Sequence, residues 1–364
     1  MSSRFDAMTT NNKLPTNATY RDGLALAMRS ALTDHANTII IGQGVTDFKG
    51  IFGTTTDLHK EFPGRVIETP LSEDAVTGIC IGAALNGLYP INTHIRADFG
   101  LLAANQLINM AAKYRYMFGG LFSVPMMVRM VIGRSWGQGA QHSQSLQSLF
   151  AHIPGLLVLM PSTPEAIVRS YAHAVAHHRG PVIMFEHRLM YDLAFNASNR
   201  PPEADPFASR LEREGSDVTI VATSIMVLEA LRAATYLADF GIQCEVIDLH
   251  NISSPDRGLI MASLAKTGRL VVADTSWLAY GVAAEICRIV AETDPTVLKA
   301  PVVNLGMAPS PCPTAKALED MYYPDLHRTI DSVARLVRGS QNHGVPIPIH
   351  KSMSDFYKHF KGPF

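Results

Sequence analysis

Apolar residues recur along this chain in two alternating rhythms. Short runs rich in β-branched residues at 38–41, 65–68, 90–94, 125–131, 156–160 and 182–185 predict strands. Between them, helical spacing predicts helices near 20–34, 73–85, 102–117, 143–150 and 164–178. Such alternation predicts parallel strands joined by crossover helices. Pro and Asn then interrupt the pattern at 195–206, which reads as a linker. The rhythm restarts with strands at 218–221, 244–248, 269–274 and 302–304 and helices at 226–240, 257–265, 280–292 and 326–337. The expected organisation is α/β throughout: a first parallel-sheet domain at 18–195, a smaller α/β domain at 207–338, and an extension at 339–364. The extension carries Pro346, Pro348 and a basic, aromatic run from Asp355 to Lys361. Docking on a partner subunit and a mobile tail are both open readings of it.

Composition narrows the class. A length of 364 residues suits two domains, and 47% apolar residues suffice for sizeable cores. A formal charge of −1 gives no field favouring nucleic acid or an anionic membrane. The apolar runs, such as 156–160, fall far short of the ~20 residues of a membrane span. Residues 1–17 are polar and poorly basic, without an apolar signal core, so a cytoplasmic protein is expected. Cys80, Cys244, Cys287 and Cys312 form no Cys-x-x-Cys pair and read as reduced thiols. Gly42-Gln43-Gly44 follows a strand but lacks the third glycine of a dinucleotide fingerprint. No phosphate loop and no metal-ligand spacing stand out, so no metal site is assigned to this chain.

One segment concentrates candidate chemistry. In Thr69 to Gly78 an extended stretch turns into an apolar helix. Ser72 is placed to cap that helix, and Glu73 falls in its first turn, beside the positive end of the dipole. On this segment alone Glu73 is either a dipole partner or a functional carboxylate.

Further segments recur in a characteristic order: Val66 to Glu73, Gly78 to Ala84, Ala97-Asp98-Phe99, Gln106 to Tyr116, Gly139 to Gln144, Pro181 to Tyr191, and Pro313 to Glu319. In that order the chain resembles the β subunit of the thiamine-diphosphate-dependent component of 2-oxoacid dehydrogenase complexes. Pyruvate, branched-chain and acetoin dehydrogenases share this subunit type, and transketolase is a more distant relative. The likeness covers roughly residues 20–338. It implies a transketolase-like pyrimidine-binding domain followed by a transketolase C-terminal-type domain. It also implies a heterotetramer of two α and two β chains that shares its cofactor across the α–β contact. The α chain of the family holds the diphosphate and Mg²⁺ through a Gly-Asp-Gly motif. That motif is missing here, as expected of a β-type chain.

The resemblance also implies residue roles. Thiamine catalysis needs a carboxyl group on the pyrimidine ring nitrogen to promote the imino tautomer, and Glu73 occupies that position. Phe99 takes the place of the ring that stacks on the aminopyrimidine, and Leu71 lies beside it as apolar packing. Read alone, a Phe after a strand is a core residue. His142, otherwise a loop hydrogen-bonder, matches a histidine near the substrate carbonyl or the lipoyl acceptor. Gly78 and Gly82 permit close helix packing, which in the family lies at a subunit interface. Three features depart from the pattern: Gln43 replaces an acid linked to a proton path between sites, Arg129-Met130-Val131 replaces Arg-x-Pro, and Trp136 is bulky in a small-residue loop. The expected activity is decarboxylation of a 2-oxoacid, with acyl transfer to the lipoyl domain of an acyltransferase. The alternatives are a lipoate-free, acyloin-forming thiamine enzyme subunit and a catalytically silent partner.

Overall fold

Alternate residues of each strand leave opposite faces of a sheet, and this period organises the molecule. Residues 14–133, 137–196 and 204–349 are described by a computed structural model. Six strands form the first sheet: β1 (Thr38–Gly42), β2 (Val66–Glu68), β3 (Tyr89–His94), β4 (Met126–Ile132), β5 (Leu157–Leu159) and β6 (Pro181–His187). Their order is β2-β1-β3-β4-β6-β5, and every pairing is parallel. The central strands β3, β4 and β6 are buried at every position, as expected of parallel strands covered on both faces.

The second sheet contains β7 (Arg210–Arg213), β8 (Val218–Ala222), β9 (Cys244–Asp248), β10 (Leu270–Trp277) and β11 (Val303–Met307), in the order β11-β10-β8-β9-β7. It is parallel except for β7, which pairs antiparallel with β9 at the edge. The sequence reading missed β7, whose charged Arg-Leu-Glu-Arg run carries a weak apolar signal.

The alternation feeds two cores. Ile40, Met127, Val182, Ile220 and Val271 enter one; their neighbours Ile41, Val128, Ile183, Val221 and Val272 enter the other. Each core therefore continues from the first sheet into the second. Polar stitches cross the same junction. Gln147 Nε2 donates to Asp274 Oδ1 at 2.8 Å, and the backbone N–H of Met160 donates to the His250 carbonyl at 2.8 Å.

Helices Tyr20–Asp34 and Pro164–His177 lie where expected, each capped at its N-terminus by a threonine, Thr19 or Thr163. Three expected helices differ. The predicted 102–117 helix breaks into a π-helical segment Asn105–Ala111 and a short helix Tyr114–Met117, with another short helix, Ala97–Gly100, ahead of it. Its apolar residues do not form one buried stripe, because Leu102, Tyr116 and Met117 are exposed. The predicted 143–150 helix shortens to Gln147–Ala151. Gln144 and Ser145 bond sideways, to Asp98 and to Gln147, instead of continuing a helical turn. The helix expected from residue 280 begins at Val282, because Tyr280 adopts φ +56°.

Part of the linker (197–203), Trp136 and the basic, aromatic run 355–361 lie outside the described residues.

Candidate active site

The first sheet changes winding direction between β1 and β3. From β1 the chain moves to the β2 edge; from β3 it moves the other way, to β4. The crevice at the carboxyl ends of such strands is where open α/β sheets bind ligands. Gln43 follows β1, Glu73 follows β2, and Phe99 follows β3, so three separate connections converge there.

Glu73 is the first residue of helix Glu73–Leu85 and is 7% exposed. Ser72 stands at the N-cap position, but its hydroxyl makes no capping bond. It instead contacts Asp74 Oδ1 at 3.4 Å, and Asp74 Oδ1 accepts from the N–H of Ala75 at 2.7 Å. The expected serine cap is thus replaced by the next acidic residue. Gln43 Nε2 approaches Glu73 Oε1 at 3.5 Å and so presents an amide donor to this carboxylate. One turn further along the helix, Thr77 joins a buried cluster with Asn92 (3.0 Å) and His94 (3.4 Å). Burial lowers the His94 imidazole to about 4. It is therefore neutral at physiological pH.

Phe99 is half-buried, and its ring meets His142 edge-on, with centroids 5.4 Å apart and planes at 87°. The structure thus brings together two residues that the sequence separates by two helical segments and strand β4. The joint is tightened by Asp98, whose Oδ1 accepts from the backbone N–H (3.3 Å) and side-chain amide (2.8 Å) of Gln144. Leu71 is 77% exposed. Most of its side chain is left uncovered by the described residues.

Two arginines flank the crevice, and the sequence reading assigned neither. Arg96 is buried at the end of β3, contacts the Gly133 carbonyl at 3.5 Å and bonds Gln138. Burial lowers its affinity for the proton, while Asp98 opposes that effect. Arg188, after β6, lies over Phe52 (4.5 Å) and Tyr191 (4.9 Å), and burial pushes it down to about 10.

Beneath them, Arg129 and Glu186 form a fully buried bidentate pair at 2.6 and 2.7 Å. Tyr171 and Tyr191 donate to the same carboxylate at 3.0 and 2.6 Å, and Arg129 donates to Thr54 at 3.1 Å. Burial opposes the Arg129 charge, yet the facing Glu186 carboxylate raises its pKa overall. This network ties β4, β6 and the loop after β1 together below the crevice.

These residues fit one end of a thiamine cofactor: a buried carboxylate for a ring nitrogen, an aromatic face, and an exposed leucine. Among the described residues, no group of three or more His, Cys, Asp or Glu side chains is arranged to hold a metal ion.

Residues 16–192 match the family model for the transketolase pyrimidine-binding domain, and 208–328 match that for the transketolase C-terminal domain. The chain is 37% identical over 335 residues to the mitochondrial pyruvate dehydrogenase E1 component subunit β-2 of Oryza sativa subsp. japonica, covering 90% of this chain and 88% of that one. The human mitochondrial subunit is 36% identical, with 87% and 90% covered. The β subunit of acetoin:2,6-dichlorophenolindophenol oxidoreductase from Cupriavidus necator is 37% identical, with 80% and 86% covered. Among solved structures, a split-gene transketolase described as an inactive β4 tetramer shares the fold, with a TM-score of 0.72 at 22% identity and 88% and 98% of the chains covered. With transketolase-type domains in this order and relatives aligned over most of its length, the chain belongs to the family of pyruvate dehydrogenase E1 component β subunits.

Proposed function

We propose that the chain is the β-type half of a thiamine-diphosphate-dependent 2-oxoacid dehydrogenase, active only with an α-type chain that holds the diphosphate and Mg²⁺. The observation that carries this reading is the placement of Glu73. It is a nearly buried carboxylate that faces Gln43 at the carboxyl end of β1, beside the point where the sheet changes winding direction, and no group of three or more metal-ligating side chains is found among the described residues. The division of the chain into 18–195, 207–338 and 339–364 belongs to the same proposal. When bound, thiamine diphosphate supplies a ring-carbon nucleophile and an electron sink for decarboxylation. Glu73 holds and exchanges a proton at a pyrimidine nitrogen, Phe99 and Leu71 set the ring plane, and His142 moves a proton at the substrate carbonyl.

Exposed apolar side chains at Leu102, Tyr116, Met117, Leu121 and Phe122 support a partner chain, since such concentrations mark interaction surfaces. Gly78 and Gly82 support close helix approach: a Cβ on Gly82 would meet nothing within 4 Å in this chain. Four free cysteines, three of them buried, support a reducing compartment, and we assign the cytoplasm, although several relatives are named mitochondrial. Among the described residues, no helix is long and apolar enough to cross a membrane.

Reconstitution with the α chain tests the proposal. Glu73→Gln is expected to lower decarboxylation by about 10²–10⁴-fold while leaving assembly intact; full activity would sink the assignment. The Gln43 amide beside Glu73 keeps a second reading in view, a lipoate-free acyloin-forming enzyme. Adding lipoyl domain separates the two. Acyl-lipoyl product supports the dehydrogenase, and acyloin formed without lipoate supports the alternative.

A further inference from the structure

Between Gly137 and Gln144 the chain carries His142 into the crevice, and it is held from two directions. On the first-domain side, Asp98 binds Gln144 and Phe99 abuts His142. On the opposite side, the hold comes from the second domain. A Cβ on Gly137 would come within 2.8 Å of the Thr314 carbonyl oxygen, and one on Gly139 within 2.6 Å of Thr314 Cγ2. Both glycines adopt positive φ, +67° and +71°, so the loop passes Thr314 in a conformation few other residues accept.

Next to His142, the Tyr323 hydroxyl donates to the Ser143 carbonyl at 3.3 Å and lies 3.6 Å from Cys312 Sγ. Tyr323 is 2% exposed. It packs edge-on against Tyr322, with centroids 4.9 Å apart, in a small apolar cluster with Met307 and Cys312 that is separate from the two main cores. The strap that bears this cluster is pinned by Trp277 Nε1, which donates to the Ser310 carbonyl at 3.0 Å.

We infer that Tyr323, with Thr314, is a positioning residue for His142: the second domain fixes the loop that presents the imidazole. This rests on the reading that His142 acts at the substrate. The arrangement has a geometric reason. The loop enters the crevice from β4 and must stop at one place relative to Phe99. Bonds from Asp98 alone would leave it a hinge, whereas a second anchor on the neighbouring carbonyl removes that freedom. Proton transfer is sensitive to such freedom, because a misplacement of about 1 Å costs roughly a hundredfold in rate.

The test uses the full chain with isotope-labelled histidine rings. Tyr323→Phe removes only the hydroxyl, and Thr314→Ser removes only the methyl group against Gly139. The His142 ring signals, assigned by their loss in His142→Gln, are expected to shift or broaden in both variants while those of His94 and His250 stay in place. In the reconstituted α–β complex, Tyr323→Phe is expected to lower kcat about three- to tenfold with KM nearly unchanged. Unmoved His142 signals in both variants overturn the inference, as does equal movement of all three histidines, which indicates general loosening. Full activity of His142→Gln in the complex would instead sink the proposed role of His142, while the ring signals still report whether Tyr323 positions it.

Discussion

Acidification should destabilise this protein through two histidines that the fold keeps uncharged. His94 is enclosed at the end of β3 by Thr77 and Asn92, and His250 lies between the two sheets, 3.0 Å from Ser170 Oγ. Burial lowers both to about 4. Around His250, Asp248 and Asp205 oppose that shift while Arg210 adds to it. A histidine in the unfolded chain titrates near 6.5. Between about 6.5 and about 4 the unfolded state therefore binds more protons than the folded state, and stability falls as pH falls. From pH 7 to pH 5 each residue withdraws about 2 kcal/mol, so together they withdraw about 4 kcal/mol. That is a large part of the roughly 5–15 kcal/mol that holds a typical domain folded. Urea unfolding at pH 7, 6 and 5 measures it, with the midpoint taken at constant m-value. The variants His94→Asn and His250→Asn start less stable but should each lose about half of the slope. Ring spectra of the wild-type chain should show two histidines that do not titrate above about pH 5. An unfolding free energy that is flat from pH 7 to 5, or an unchanged slope in the double variant, would refute the reasoning.

Further predictions follow from the same geometry. Arg129→Ala leaves Glu186 buried without its cation and should cost about 3–5 kcal/mol in urea unfolding; replacing both partners with apolar residues should cost less. Gly133 adopts φ +101°, and a Cβ there would meet His187 Cε1 at 2.6 Å, so Gly133→Ala should destabilise by about 1–3 kcal/mol and lower the melting temperature. Phe99→Ala should weaken thiamine diphosphate binding by the assembled α–β complex by about 1 kcal/mol, roughly fivefold by fluorescence titration; unchanged affinity would remove Phe99 from the cofactor site.

What the sequence reveals here depends on the range of the interaction. Strands β4 and β6 are legible because burial on both faces leaves largely apolar runs, interrupted by the paired Arg129 and Glu186 and by His187 at the end of β6. The 102–117 stretch misleads for the converse reason: its apolar residues serve an exposed surface, so periodicity does not find where the helix breaks. Ser72 shows a local limit. The residue type fits a cap, yet Asp74, two positions on, takes the bond to the backbone. Phe99 and His142 can be listed from ordered motifs, but their ring contact depends on the folded chain, which no spacing reveals. Tyr323 is the extreme case, since its hydrogen bond to Ser143 spans 180 residues and neither partner stands out by type. Arg96 and Arg188 are similar: as single arginines in the sequence they look like solvated surface, and only the sheet puts them at its buried edge.

The two cores that run through both sheets have a consequence for how the chain is made. Neither half carries a complete wall set of its own: Ile40 and Met127 share one cluster with Ile220 and Val271, and Ile41 and Val128 share the other with Val221 and Val272. Part of the apolar surface at the junction of the two sheets is therefore covered only once β8, β9 and β10 have been synthesised, and a chain cut short before β8 is expected to leave that surface open to solvent.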